Sequence, residues 1–300
     1  MKQHKATSSA LLRGVLSGAL RLAVKPLFAP HISPGLRRRG LELASLSTLN
    51  ARGIKPTKAE LNGVPALRYG DSEQATTVLY LHGGAYTAGS PNTHASLTSH
   101  LAQASKSTVW VPDYRLAPEH PFPAALEDAL ACYQALLSQG VSPEQLTVAG
   151  DSAGGGLTLS LMLRLKAEKL PLPKGIVLLS PWADLTHPHQ AAPNQPKDAM
   201  LTWEGLTAAA KGYAGQMPLS HSGISPALGD LTGLPPALLI VGTEEILLAD
   251  VRALAEKLQQ AQVATETWLY EHMWHVFPLH ARMLKEADHA IHTMARFILN

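Results

Sequence analysis

Six short apolar runs rich in strand-forming residues, at 77–81, 108–111, 146–148, 176–179, 237–241 and 267–270, recur along the chain. Between most of them lie helical patterns, at 124–138, 157–169 and 249–260. Strands that alternate with helices predict the α/β class, with a mostly parallel central sheet flanked by helices on both faces. The run Ala237-Leu238-Leu239-Ile240-Val241 shows no polar alternation, as expected of a central strand covered on both sides. With 300 residues, 46% of them hydrophobic, the chain can bury a large core as one sizeable domain with an appendage, or as two smaller domains.

Two segments fall outside this rhythm. Residues 1–50 read as helical without strands. Residues 182–222 carry Pro188, Pro193, Pro196 and Pro218 around a weak helix at 203–213. Ligands of open α/β sheets bind at the carboxyl ends of the strands, and the second segment follows such an end. Both are therefore expected to form a helical cap: N-terminal cap helices at 1–50, core at 51–181 and 223–300, and a cap insertion at 182–222.

The N-terminal segment is apolar, but Arg13, Arg21 and Lys25 interrupt it before a signal-peptide core or a membrane span could form. Leu12, Val15, Leu16 and Leu20 recur at helical spacing, which predicts an amphipathic helix packed over apolar surface, with interfacial membrane contact as the weaker reading. Arg37, Arg38 and Arg39 are expected to be a surface cluster on this appendage. The net charge of +2 implies no nucleic-acid partner. The single cysteine, Cys132, excludes an intrachain disulfide and permits a reducing interior. It is expected to be a small buried residue, and the protein is expected to be cytoplasmic, without stable membrane insertion.

The stretch 148–157, Val-Ala-Gly-Asp-Ser-Ala-Gly-Gly-Gly-Leu, crowds very small residues around one serine between a strand pattern and a helix pattern. Gly150-Asp151-Ser152-Ala153-Gly154 is G-x-S-x-G, a sharp strand-to-helix corner that presents a hydroxyl and tolerates only tiny neighbours. A serine hydroxyl is a poor nucleophile and needs a base. It also needs donors for the oxyanion that its attack creates. The Ala153 amide lies at a helix N-terminus, and His82-Gly83-Gly84 ends a strand where a second donor loop belongs, so Gly83, Gly84 and Ala153 are the expected oxyanion donors. His82 precedes the serine and reads as a hydrogen-bonding loop holder.

The combination His-Gly-Gly-Ala-Tyr at 82–86, Pro-Asp-Tyr-Arg-Leu-Ala-Pro-Glu-His-Pro-Phe-Pro from 112, and Gly-Asp-Ser-Ala-Gly-Gly at 150–155 resembles the bacterial hormone-sensitive lipase family (family IV) of α/β-hydrolases, across roughly residues 60–280. The resemblance implies a serine carboxylesterase with a helical cap and a triad ordered serine, acid, histidine. It implies short- to medium-chain acyl esters as substrates, and a homodimer through a sheet edge as found in many members. Ala85 departs from the family's third glycine; its methyl either perturbs the loop or narrows the acyl entrance without removing an amide.

The base is expected in a loop after the last strand, where His272 and His275 stand. The family pattern H-x-F matches His275-Val276-Phe277, which implies His275, with His272 a polar loop residue. His280, His289 and His292 read as exposed positions on a terminal helix. A carboxylate just beyond the strand ending at Gly242 reaches the site's edge, and the family form G-x-x-D-P-L sets Glu245 opposite the acid. Glu244, Asp250 (a helix cap near Val251) and Asp184 remain alternatives. Asp113, Arg115 and Glu119 read as an ion-pair lock, Asp151 as a hydrogen-bonding support, and Trp203, Met217 and Leu219 as candidate pocket walls. Metal- and nucleotide-binding motifs are absent from the sequence, so no cofactor and no metal is implied. The same machinery would serve a lactonase or an aryl-formamide or amide hydrolase. A non-catalytic binding protein of the kind exemplified by the plant gibberellin receptors, which have lost the triad histidine, is the remaining alternative.

Overall fold

The computed structural model describes residues 1–70, 74–187 and 198–300. In chain order the first elements are β1 (Lys2–His4), α1 (Ala10–Ala23), α2 (Pro34–Ser45), β2 (Thr57–Leu61), β3 (Val64–Tyr69), β4 (Thr77–Leu81) and α3 (Ala95–Ser105). Next come β5 (Thr108–Pro112), α4 (Ala124–Ser138), β6 (Leu146–Asp151), α5 (Ala153–Ala167), β7 (Gly175–Leu179) and α6 (Trp203–Ala214). The chain closes with β8 (Ala237–Gly242), α7 (Leu248–Gln260), β9 (Thr265–Tyr270) and α8 (Lys285–Leu299). Among the described residues these strands form one nine-stranded sheet in the order β1-β9-β8-β7-β6-β4-β5-β3-β2. It is parallel except around β3, which pairs antiparallel with both β2 and β5.

Strands β4 to β8 are buried along their whole length, as their unbroken apolar runs require. The sheet changes direction at β4, which is flanked by β5 on one side and β6 on the other. Such a switch point opens a crevice at the carboxyl ends of the strands, because the outgoing loops diverge there. Leu81 at the end of β4 pairs with Gly150 near the end of β6, so the loops beginning at His82 and Ser152 leave the sheet side by side.

Two features lie outside the strand runs that the sequence predicts, and the first falls within residues 1–50, which were expected to be strand-free. β1 adds in parallel to the outer edge of β9, with Lys2 opposite Trp268 and His4 opposite Tyr270. Its three polar residues carry no apolar pattern; Lys2 Nζ to Glu266 at 2.7 Å and Gln3 Nε2 to Glu271 at 2.7 Å hold it. The β2–β3 hairpin turns at Asn62-Gly63, both at positive φ, which is the Asn-Gly chemistry that a tight hairpin demands.

The N-terminal helices are pinned to the core by specific bonds. Buried Glu286 on α8 accepts from the Thr7 and Ser8 amides at 2.5 and 2.8 Å and from the Ser8 hydroxyl. The expected surface triplet 37–39 is in fact divided. Arg37 is buried and donates to the carbonyls of Leu27, Ala29 and Ile32 and to Thr87 Oγ1. Arg38 donates to the carbonyls of Thr87 and Ala117 and pairs with Glu119 at 2.6 Å; Arg39 stays exposed. Cys132 is buried, and burial pushes its thiol up to about 12. No helix among the described residues is long and apolar enough to cross a membrane.

Candidate active site

Ser152 occupies the corner between β6 and α5 with φ +51° and ψ −121°, a conformation that L-residues rarely adopt. The glycines explain how the corner closes. A Cβ on Gly154 would lie 1.9 Å from the Leu81 carbonyl oxygen, and one on Gly150 would lie 2.3 Å from the Gly154 carbonyl oxygen. α5 therefore begins at Ala153, earlier than the apolar pattern predicts, because the glycine run must lie helical against β4 despite its poor propensity. The Ser152 amide donates to the Leu179 carbonyl and its carbonyl accepts from Trp182 N, both at 2.9 Å, which braces the strained turn.

His275 lies in the loop after β9, next to Val276, whose positive φ turns the chain. Its ring is buried, and Nδ1 lies 2.8 Å from Glu245 Oε2. The other oxygen of Glu245 accepts from the Ser180 hydroxyl at 2.7 Å and from the Gly242 amide at 2.6 Å. A carboxylate only accepts, so Nδ1 carries its proton and Nε2 is the nitrogen left for the site. Burial pulls the His275 pKa down, but the hydrogen bond and charge of Glu245, with the charges of Asp198 and Asp151, prevail and hold it above the usual value of 6.5.

Asp198 is a contributor that sequence reasoning missed. It is buried and accepts from the amides of Met200, Leu201 and Ile246 at 2.7, 2.9 and 3.1 Å. It thus ties the segment after 197 to the loop of Glu245. An aspartate before Ala-Met-Leu looks like an ordinary turn residue, and nothing in the string signals a partner 48 residues downstream.

The loop after β4 is arranged differently from the expectation. The Gly83 amide faces Asp151 Oδ1 at 3.1 Å and His94 Nε2 at 3.3 Å, so it is turned into the support beneath the loop and away from the expected oxyanion role. Asp151 also accepts from Tyr80 Oη at 2.8 Å and meets His94 Nε2 at 3.2 Å. Burial would depress His94 and raise Asp151, but each charge stabilises the other: His94 is raised and Asp151 lowered, as in a buried ion pair. His82 stacks on Tyr114 with ring centroids 4.3 Å apart, and burial beside His94 lowers it to about 3, leaving it neutral. Gly84 and Ala85 instead line a cavity of about 380 Å³ together with Ser152 and His275. Ala85 sits at φ +55°, where glycine would be unstrained.

The walls of that cavity include Leu16, Leu20 and Phe28 from the N-terminal segment, with Met200, Leu201 and Leu279. Trp203, Met217 and Leu219 are not among its lining residues: α6 packs against the 25–28 turn through Gly205, and Met217 points to solvent. Pro188, Pro193 and Pro196 lie outside the described residues. The alternative acids have other partners. Glu244 lies 3.4 Å from exposed His272, and Asp184 accepts from Thr186. Asp250 is in the first turn of α7, not at its cap. The expected 113–115–119 lock does not form; Arg115 pairs with Asp128 at 2.7 Å, Glu119 with Arg38, and Asp113 is exposed. His280 is buried on a short turn and lines the cavity, His289 is half-buried against Tyr270, and His292 is exposed.

A family profile described as the alpha/beta hydrolase fold matches residues 78–279. The chain aligns with an esterase from a bacterial hormone-sensitive lipase family structure with TM-score 0.92 and 34% identity, covering 98% of this chain and 99% of that one. The chain belongs to the bacterial hormone-sensitive lipase family of α/β-hydrolases. A hormone-sensitive lipase from a metagenome library superposes with TM-score 0.91 and 37% identity over 99% of each chain. An esterase of Acinetobacter venetianus is 41% identical over 222 residues, 73% of each chain. An acetyl-hydrolase of Streptomyces hygroscopicus is 41% identical over 233 residues, 75% of this chain and 76% of the relative.

Proposed function

We propose that this carboxylic ester hydrolase is a serine esterase acting on short- to medium-chain acyl esters through an acyl-enzyme, with Ser152, Glu245 and His275 as its triad. The observation that carries the reading is the buried His275–Glu245 hydrogen bond at 2.8 Å in a loop that lines the same cavity as Ser152. His275 Nε2 takes the Ser152 proton as Oγ attacks the ester carbonyl, and the imidazolium is stabilised by Glu245 without losing its proton to it. The oxyanion forms against the amides of Gly84 and Ala153, with Ala85 in the role first expected of Gly83. Such donors are worth about 3 kcal/mol each in the transition state. His275 returns its proton to the departing alcohol; water then attacks the acyl-enzyme by the same route in reverse.

The mainly aliphatic cavity fits an acyl or alkyl chain of modest length, and the acetyl-hydrolase name of a relative agrees with a short acyl group. The helices of residues 10–45, with Met200 and Leu201, act as the cap that closes it. The test is hydrolysis of p-nitrophenyl esters of increasing chain length, with p-nitroacetanilide alongside. Wild type should prefer short esters to the anilide, and Ser152→Ala should lose at least about a thousandfold in kcat. Undiminished turnover in that variant would refute the assignment.

A further inference from the structure

The outer faces of the N-terminal helices carry apolar side chains that the fold leaves without a partner. On α1, Leu11, Val15 and Leu22 fall within roughly 40° of one another at about 100° per residue, and they are 80%, 60% and 83% exposed. Leu20, on the opposite face, is buried. Leu36, Leu43 and Leu46, along and just beyond α2, are 56%, 69% and 80% exposed. Among the described residues, the exposed large apolar side chains outside residues 1–49 are only Met217, Leu228 and Leu299. A helix with an apolar stripe on its solvent side as well as its core side is built to meet a second apolar phase.

The charge distribution identifies that phase. Residues 1–58 contain eleven lysines and arginines and a single acid, Glu42, in a chain whose net charge is only +2; Arg37 is buried, and Lys2 and Arg38 pair with Glu266 and Glu119, so the outward charge comes from the others. Glu42 is turned inward to accept from the Ser90 hydroxyl, while Lys5 and Arg39 are exposed. Arg39 lies between Leu36 and Leu43 on the outer stripe of α2. A cationic face interleaved with leucines complements an anionic lipid surface, and the remainder of the chain, carrying nearly all the acids, is repelled from it. Ala19, Ala23, Leu43 and Ser47 are exposed and also line the cavity, so the apolar stripes run up to its mouth.

We propose that α1 and α2 dock this protein on an anionic bilayer surface, with the mouth of the cavity facing the lipid, so that esters partitioned into that surface enter directly. Delivery of an ester rests on the function proposed above; the docking does not. Ser152→Ala protein should sediment with phosphatidylcholine vesicles containing phosphatidylglycerol, more weakly with rising salt, and far less with phosphatidylcholine alone. Adding Leu11→Ser, Val15→Ser and Leu22→Ser should weaken vesicle binding at least about tenfold, since three inserted apolar chains are lost. The same triple change with Ser152 intact should leave the melting curve and the kcat/KM for soluble p-nitrophenyl acetate unchanged. Arg39→Glu, which removes no apolar contact, should weaken binding about fivefold.

No sedimentation with anionic vesicles at low salt would overturn the proposal, as would undiminished binding by both the triple variant and Arg39→Glu. A triple variant that alters the oligomeric state while binding vesicles as before would assign the stripes to a second copy of the chain instead. Retained ester hydrolysis by Ser152→Ala would sink the catalytic reading and leave the vesicle result standing.

Discussion

At the scale of single residues, the site is governed by which nitrogen of His275 is free and how firmly the ring holds a proton. Glu245 fixes the first through Nδ1 and, by its charge, outweighs burial on the second. A base must be neutral to act, so kcat/KM is expected to rise with pH through a midpoint above 6.5. Glu245→Gln removes the charge that favours imidazolium, so the midpoint should move down while kcat falls about a hundredfold or more. A midpoint that stays put in a pH–rate profile would deny Glu245 this role. Ala85 gives a second residue-scale expectation. At φ +55° its Cβ is strained, and Ala85→Gly should raise stability by about 0.5–1 kcal/mol, the strain relieved less the entropy of the freed chain. Thermal melting reads this, and ester turnover should persist.

At the scale of elements, the loop after β4 stands on the His94–Asp151 pair, which also takes the Gly83 amide. The raised His94 contributes stability that is complete below about 6.5 and is lost as pH rises through its folded-state pKa. Asp151→Asn should therefore lower stability by about 3 kcal/mol near neutrality and flatten its decline with rising pH, as measured by urea unfolding across that range. Much of this level was legible in the string. The parallel strands and α4 follow from apolar period and chain order, whereas Glu245 and His275 were singled out by the motifs of the family that the chain resembles, in loops that chain order places after β8 and β9. Asn62-Gly63 was an available hairpin signal, but its flanking strand β2 is half-exposed and short of apolar residues, so period gave no cue. Gly83 and Asp198 were beyond reach for a different reason. Which way a glycine amide points, and which distant amides a carboxylate accepts, are decided by packing rather than by local pattern.

Across the whole molecule, the N-terminal helices are tied to the far end of the chain by Glu286. Burial would raise that carboxyl, but the bonds from Ser8 and Thr7 prevail and lower it. Its contribution is thus present above the ordinary carboxylate range and lost as pH falls. Glu286→Gln keeps the shape and removes the charge; it should cost about 1–3 kcal/mol and make acid unfolding less steep. Equal stability of the two proteins at neutral pH would show that the clamp is dispensable.

The three-residue strand at the start of the chain has one more effect. By occupying the open side of Trp268–Tyr270, it replaces half of the ladder of unsatisfied peptide groups along β9 with a stub flanked by Lys2 and Lys5. Two molecules meeting along that border would have to strip the stub away to pair over the full length of β9. Clipping the first few residues would therefore lengthen the adhesive margin of the sheet.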